Sequence, residues 1–158
     1  MNTLVTFSAV IILAFTGITS EESTEKIPAE SIEMNQPVRT IVINSNDQMK
    51  FDLNEIKVKA GEKIKLTLNH TGKLPKNAMG HNFVLLTKGT DIAKFATAAM
   101  NEKGNEYVPS SGVIAHTKLI GGGESTTIEF TAPSKGTYDF ICSFPGHYAM
   151  MKGKFIVE

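Results

Sequence analysis

The chain holds a single cysteine in 158 residues and no tryptophan. One thiol cannot close a disulfide within the chain, so the core alone must hold the fold, and the thiol is left to pack or to do chemistry. Net charge is also missing, with 16 basic residues balanced by 16 acidic ones. The lysines are scattered, with no run and no interleaved aromatics, and this argues against a nucleic-acid track. No apolar run is long enough to cross a bilayer comfortably: the longest, from Leu4 to Ile18, stops short of the ~20 residues a spanning helix needs. Internal repeats and low-complexity tracts are absent as well.

What is present divides into three parts. Residues 1–20 carry no charged side chain and read as a signal peptide, with Ser20 before Glu21 and Glu22 as a plausible cleavage point. The leader lacks a basic end, so retention as an anchor is the one way this chain would meet a membrane. No cysteine follows the leader closely, which excludes lipid attachment there. Residues 21–37 hold five acids, one lysine and little to bury, the signature of an acidic flexible linker. Residues 38–158 then keep 15 basic residues against 11 acidic ones, a surplus of four. A domain of this size buries roughly two-thirds of its unfolded surface and needs no covalent staple.

Within that domain the hydrophobic period is two. Ile64, Leu66 and Leu68 alternate with Lys65, Thr67 and Asn69, and Ile128 and Phe130 alternate with Thr127 and Glu129, as half-buried strands do. Further strands are expected at Thr40–Asn44, Met49–Leu53, Glu55–Val58, His81–Leu86, Val113–His116, Thr137–Cys142 and Lys154–Val157. Separators such as Gly121-Gly122-Gly123 and Pro133-Ser134-Lys135-Gly136 are turn-formers. Many short strands at this spacing predict an all-β sandwich or barrel. One segment departs from the pattern: Ile92, Phe95, Ala96 and Ala99 recur at helical spacing after Thr90-Asp91, which can cap a short helix.

The chemistry concentrates at Cys142-Ser143-Phe144-Pro145-Gly146-His147-Tyr148-Ala149-Met150-Met151. Four residues separate Cys142 from His147, and three separate His147 from Met151. A thiolate, an imidazole and a thioether are donors that copper prefers, and Met79-Gly80-His81-Asn82 offers a second imidazole beside a glycine carbonyl. Two histidines and a cysteine with a weak axial methionine make a blue-copper electron-transfer site. Taken singly, each residue has a plainer reading: Cys142 a small buried hydrophobe, His81 a strand residue, the methionines core filler. Cys142 and His147 would also suit a nucleophile and its base, with Asn82 as orienter. Against this, Cys142 ends a strand and no substrate cleft is suggested. A copper carrier, or a structural zinc site, would use the same donors. His70 reads as a semi-buried strand-end residue and His116 as a surface residue. Met150 and Met151 are neighbours near a strand start, so only one can face the metal.

The blocks Asn46-Asp47-Gln48-Met49, Leu74-Pro75-Lys76-Asn77, Met79-Gly80-His81-Asn82, Ile114 through Gly121 and Cys142 through Gly153 together resemble the azurins, bacterial members of the cupredoxin family. The likeness runs from about Val38 to Glu158. It implies a Greek-key β-sandwich of about eight strands with one short inserted helix. It also implies a single type 1 copper ion, cycling between Cu(I) and Cu(II), held by Gly80, His81, Cys142, His147 and Met151. The axial methionine is then Met151, leaving Met150 on the surface, and the backbone N–H groups of Asn82 and Phe144 point at the sulfur. Met49, Leu74, Ala78, Met79, Phe144, Pro145, Ala149 and Met150 would form an apolar docking patch around His147. Expected partners are redox proteins such as a c-type cytochrome or a copper oxidoreductase, in the periplasm, with a monomeric chain and no catalysis of its own. Two departures stand out: the disulfide usual near the start of an azurin is impossible here, and Phe83 stands where azurins carry tryptophan.

Overall fold

A computed structural model of the chain describes residues 37–158. The expected leader, and the linker apart from Pro37, lie outside the described residues. Among the described residues the alternation seen in the sequence becomes nine strands in two sheets. The first sheet has the order β2-β1-β4-β7, built from Lys50–Phe51 (β2), Arg39–Asn46 (β1), Lys63–His70 (β4) and Ser125–Thr131 (β7). The second runs β3-β9-β8-β5-β6, from Glu55–Val58 (β3), Lys152–Val157 (β9), Gly136–Ile141 (β8), Val84–Leu86 (β5) and Val113–His116 (β6). Most neighbours are antiparallel, but β1 pairs parallel with β4 and β3 parallel with β9.

The core lies between the sheets. Ile41 and Ile43 of β1 and Ile64, Leu66 and Leu68 of β4 meet Phe83, Leu85, Phe140 and Phe155 from the other side. Phe83, the residue in the tryptophan position, is fully buried and packs on Phe140 with ring centroids 5.2 Å apart. Each such aromatic removes about 150–250 Å² from water, the main source of stability in a domain without disulfides.

β5 is buried on both faces, and this explains the helix. Leu85 points into the sandwich, while Val84 and Leu86 point outward and would meet water uncovered. Ile92–Ala99 (α2) covers them, its Phe95 packing with Val84, Leu86, Val108 and Ile141. Asp91 caps it as expected, accepting from the N–H groups of Ala93 at 3.0 Å and Lys94 at 3.1 Å. Loss of such a cap costs about 1 kcal/mol. Among the described residues no helix is long and apolar enough to cross a membrane.

Strand ends shift by one or two residues elsewhere, but three larger differences from the sequence expectation stand out. The Met49–Leu53 strand shrinks to two residues, because Met49 takes a left-handed φ of 54° at the end of a turn in which its N–H donates to the Asn46 carbonyl. The strand expected from His81 begins only at Val84, with His81 joined to Ile120 by one isolated bridge. Lys76–Met79 (α1) forms a single helical turn after Pro75, whose carbonyl accepts from Ala78 and Met79. Four residues are too few to carry a helical period, so this turn left no periodic signal in the sequence.

Candidate metal centre

β8 ends at Ile141 and β9 begins at Lys152, and the two residues are paired across the sheet. The ten residues between them therefore leave and rejoin the sandwich at one point. The Cys142 N–H donates to the Met151 carbonyl at 2.9 Å and seals the base of this excursion. Inside it, the His147 N–H donates to the Phe144 carbonyl at 3.0 Å, with Gly146 at a φ of 83°. The N–H groups of Met150 and Met151 then donate to the His147 carbonyl at 3.0 and 2.9 Å. This winding brings the sulfur of Cys142 to 3.6 Å from Nδ1 of His147.

A second segment, which leads into β5, meets the first from within the same sheet, where β5 pairs with β8. His81 exchanges both backbone hydrogen bonds with Ile120 at 2.9 Å. Its ring lies 5.1 Å from that of His147, edge to face. Asn82 then locks the two segments together: its Oδ1 accepts from the Ser143 N–H at 2.9 Å and its Nδ2 donates to Ser143 Oγ at 2.9 Å. The Gly80 carbonyl lies 3.9 Å from the Cys142 sulfur. A β-carbon at Gly80 would sit 2.5 Å from the Lys76 carbonyl and 2.9 Å from the Leu119 side chain, so only glycine allows the chain to pass there.

All five residues singled out in the sequence thus gather at one end of the sandwich. Cys142, His81 and Met151 are fully buried and His147 is 4% exposed. The adjacent methionines part company, with Met150 58% exposed. Burial sets the electrostatics. It pushes the Cys142 thiol up to about 12, although the backbone N–H groups of Asn82 and Phe144 hydrogen-bond the sulfur and pull it partly back. Burial also lowers His81 to about 3, with help from His70 and His147, and lowers His147 to about 4, with help from His70. At neutral pH the site is two neutral imidazoles beside a neutral thiol, and none of the three is charged. Both ring nitrogens of His81 are buried with no hydrogen-bond partner. A buried polar atom left this way costs about 1–3 kcal/mol. A metal ion taking a nitrogen lone pair removes that cost, and the surrounding donors are those soft metals favour. The residues fit copper.

His70 is the residue that sequence reasoning undervalued. It is buried rather than half-buried, and its ring stacks on His81 with centroids 4.2 Å apart and planes 3° from parallel. Nδ1 of His70 accepts from the Gly72 N–H at 3.0 Å, which leaves Nε2 to donate to the Met79 carbonyl at 3.0 Å. It therefore fixes both the plane of His81 and the approach of the Met79–Gly80 segment. The signal was available: in β4, His70 is in phase with Ile64, Leu66 and Leu68 on the buried face. His116 is exposed, as expected. Of the residues expected in the apolar patch, Leu74, Ala78, Ala149 and Met150 are exposed, while Met49, Met79, Phe144 and Pro145 are half-buried.

Known proteins resemble this chain in sequence and in fold. The family of copper binding proteins described as plastocyanin/azurin matches residues 38–158. An azurin of Achromobacter denitrificans is 49% identical over 119 residues, which are 70% of this chain and 78% of that protein. An azurin of Pseudomonas chlororaphis is 45% identical over 124 residues, 73% of this chain and 95% of that one. Among solved structures, auracyanin A, a blue copper protein of Chloroflexus aurantiacus, superposes with a TM-score of 0.71 at 32% identity, covering 77% of this chain and all of that one. An azurin from Methylomonas sp. strain J gives 0.69 at 33% identity, covering 75% and 97%.

Proposed function

The chain belongs to the plastocyanin/azurin family of copper-binding proteins, electron carriers with one type 1 copper ion, and from that premise we propose how this sequence holds the metal and whom it serves. His81, Cys142 and His147 would be the main ligands of the ion, with the Met151 thioether and the Gly80 carbonyl as weaker donors. The observation that carries this reading is the buried, partnerless imidazole of His81 facing the thiol and imidazole of the Cys142–Met151 loop.

Bound copper supplies a one-electron couple. The protein's part is to keep the ligands still and dry. Movement of the ligands between oxidation states would slow every transfer, and the bonds described above oppose it: Asn82 to Ser143, Cys142 to Met151, His70 to Met79 and His81 to Ile120. The N–H groups of Asn82 and Phe144 withdraw charge from the sulfur, which tunes the potential. The exposed side chains of Leu74 and Met150, with Ala78 and Ala149, offer an apolar surface of the kind that small transient redox contacts use.

The chain carries electrons between periplasmic redox proteins, such as a c-type cytochrome and a copper oxidoreductase, and does not itself transform a substrate. Export rests on the uncharged leader at residues 1–20, followed by the acidic linker and the domain from residue 38. The deciding experiment is the visible and electron-spin spectrum of the purified, copper-loaded chain. An intense thiolate-to-copper charge-transfer band that bleaches on reduction and returns on oxidation, with the metal retained, is expected. Loss of the metal on reduction would identify a carrier, and the absence of the band would overturn the ligand set.

A further inference from the structure

Beside the metal centre, and sharing Phe144 with the apolar patch, lies a cavity of about 230 Å³ whose lining includes Lys76, Lys103, Glu106, Tyr107, Leu119 and Phe144. The proposed electron-transfer role does not use it, and three observations distinguish it from an ordinary surface dent.

Its wall leads to a proposed copper ligand through aromatic rings in contact. Tyr107 meets Phe144 edge to face with centroids 5.2 Å apart, and Phe144 meets His147 at 4.8 Å. Its shape is also held by an unusual backbone. Glu106 and Tyr107 are consecutive non-glycine residues in the left-handed region, with φ of 55° and 62°. Such conformations persist only where surrounding contacts impose them. Here Asn82 Nδ2 donates to the Glu106 carbonyl at 3.1 Å and the Leu119 N–H donates to the Glu106 carboxylate at 3.1 Å. The residue that locks the copper loop thus also holds the turn that presents Tyr107. Finally, the charge is net positive, two ammonium groups against one carboxylate. Lys76 and Lys103 are exposed and have no ion-pair partner among the described residues, while the one carboxylate in the lining is engaged by Leu119.

An aromatic wall and an apolar floor under two free ammonium groups select a flat ring bearing a negative group, because the ring stacks while the anion meets the lysines. The volume falls just below the range for drug-sized ligands, so one or two rings fit. We propose that this cavity binds a small planar aromatic anion of the hydroquinone or quinone class, and that such a molecule exchanges single electrons with the centre through Phe144 and His147. The inference rests on the electron-transfer reading for its second half only. In the transfer one electron leaves the hydroquinone for oxidised copper, the hydroxyl proton goes to water, and no bond to the protein forms. A second such step, on another copy of the protein, completes the oxidation to quinone.

The probe is 1,4-naphthoquinone-2-sulfonate, with neutral 1,4-naphthoquinone as its uncharged counterpart. Binding is measured on the full chain without metal, by calorimetry and amide chemical shifts at low salt. Saturable binding with shifts centred on Tyr107 and Leu119 is expected. It should weaken at least tenfold in Lys76→Gln/Lys103→Gln and in Tyr107→Leu, and the neutral quinone should bind no better to the native chain than to the lysine variant. With copper bound, the reduction rate by the hydroquinone form should level off with concentration, and the plateau should be lost in Tyr107→Leu. Linear, non-saturating binding, or equal affinity for the lysine variant, would overturn the site. Normal binding with no rate plateau would overturn the electron-transfer half. A chain that binds the probe yet never turns blue with copper would instead sink the copper reading.

Discussion

Without metal, this protein should be most stable between about pH 6.5 and 9, and its decline on the acid side can be worked out from two side chains. In an unfolded chain, histidine takes up a proton near pH 6.5. In the folded protein, burial holds His81 at about 3 and His147 at about 4. Below pH 6.5 the unfolded state therefore binds two protons that the folded state refuses, and stability falls as pH falls. At pH 5.5, one unit below the reference, each histidine contributes RT ln 11, about 1.4 kcal/mol, so the pair removes about 3 kcal/mol relative to pH 8. For a domain of this size that corresponds to a drop of about 10 °C in Tm. The alkaline limb has the opposite sign. Cys142 is held at about 12 against 9.0 for a free thiol, so above pH 9 the unfolded chain sheds a proton that the folded one keeps, and stability falls again. The assay is calorimetric or circular-dichroism melting of metal-free protein from about pH 5 to 10, with His81→Asn/His147→Asn as control. A Tm that stays level from pH 8 to 5.5, or one that falls equally in the double variant, would refute the reasoning.

Met151→Leu should raise the reduction potential of the copper-loaded protein by tens of millivolts, because a thioether stabilises Cu(II) more than an alkyl chain does; about 59 mV corresponds to ~1.4 kcal/mol for one electron. Met150→Leu, at an exposed position, should leave it nearly unchanged, and voltammetry showing the reverse would exchange the two assignments. Cys142→Ser should abolish the charge-transfer band while the far-ultraviolet spectrum keeps its β-sheet form, since the pairing of β8 with β9 and the Cys142 N–H bond to the Met151 carbonyl are backbone contacts that the change leaves in place. Gly80→Ala should lower stability by about 1–3 kcal/mol, the usual scale of overpacking, visible as a lower Tm, and weaken copper retention, because its methyl group meets the Lys76 carbonyl and Leu119. Met150→Glu should slow electron exchange with protein partners and leave the spectrum intact; unchanged rates would move the docking surface elsewhere.

The strands were legible because alternation is a local property: Ile64, Leu66 and Leu68 announce a buried face without reference to the rest of the chain. So was the helix, where Asp91 and the spacing of Phe95, Ala96 and Ala99 give cap and face together. The loop between β8 and β9 stood out as a candidate from its donors and their spacing, and the resemblance added the choice of Met151, which is buried, over Met150, which is exposed. What escaped was non-local. Nothing near His70 states that its ring will lie flat on His81, eleven residues away along the chain, because that contact depends on how β4 and the Met79–Gly80 segment meet. The left-handed pair Glu106–Tyr107 escaped because neither residue type favours φ > 0; besides the Tyr107 N–H bond to the Glu102 carbonyl, distant Asn82 and Leu119 hold Glu106 in place. Met49, also at positive φ, cut short a strand that composition alone would have extended.

The parallel pairing of β3 with β9 bears on when the protein can acquire its metal. β9 lies between β3 and β8, yet it is separated from β3 by nearly a hundred residues of sequence. During synthesis β3 emerges long before its neighbour exists, and Met151 emerges immediately before β9. At typical elongation rates of about 5–20 residues per second, several seconds pass with β3 awaiting its partner strand. Contacts this distant in sequence also form slowly once both strands are available. A nascent chain therefore has no assembled copper centre to offer, and metal insertion becomes a late event, open only after residues 152–157 have been delivered and the sandwich has closed.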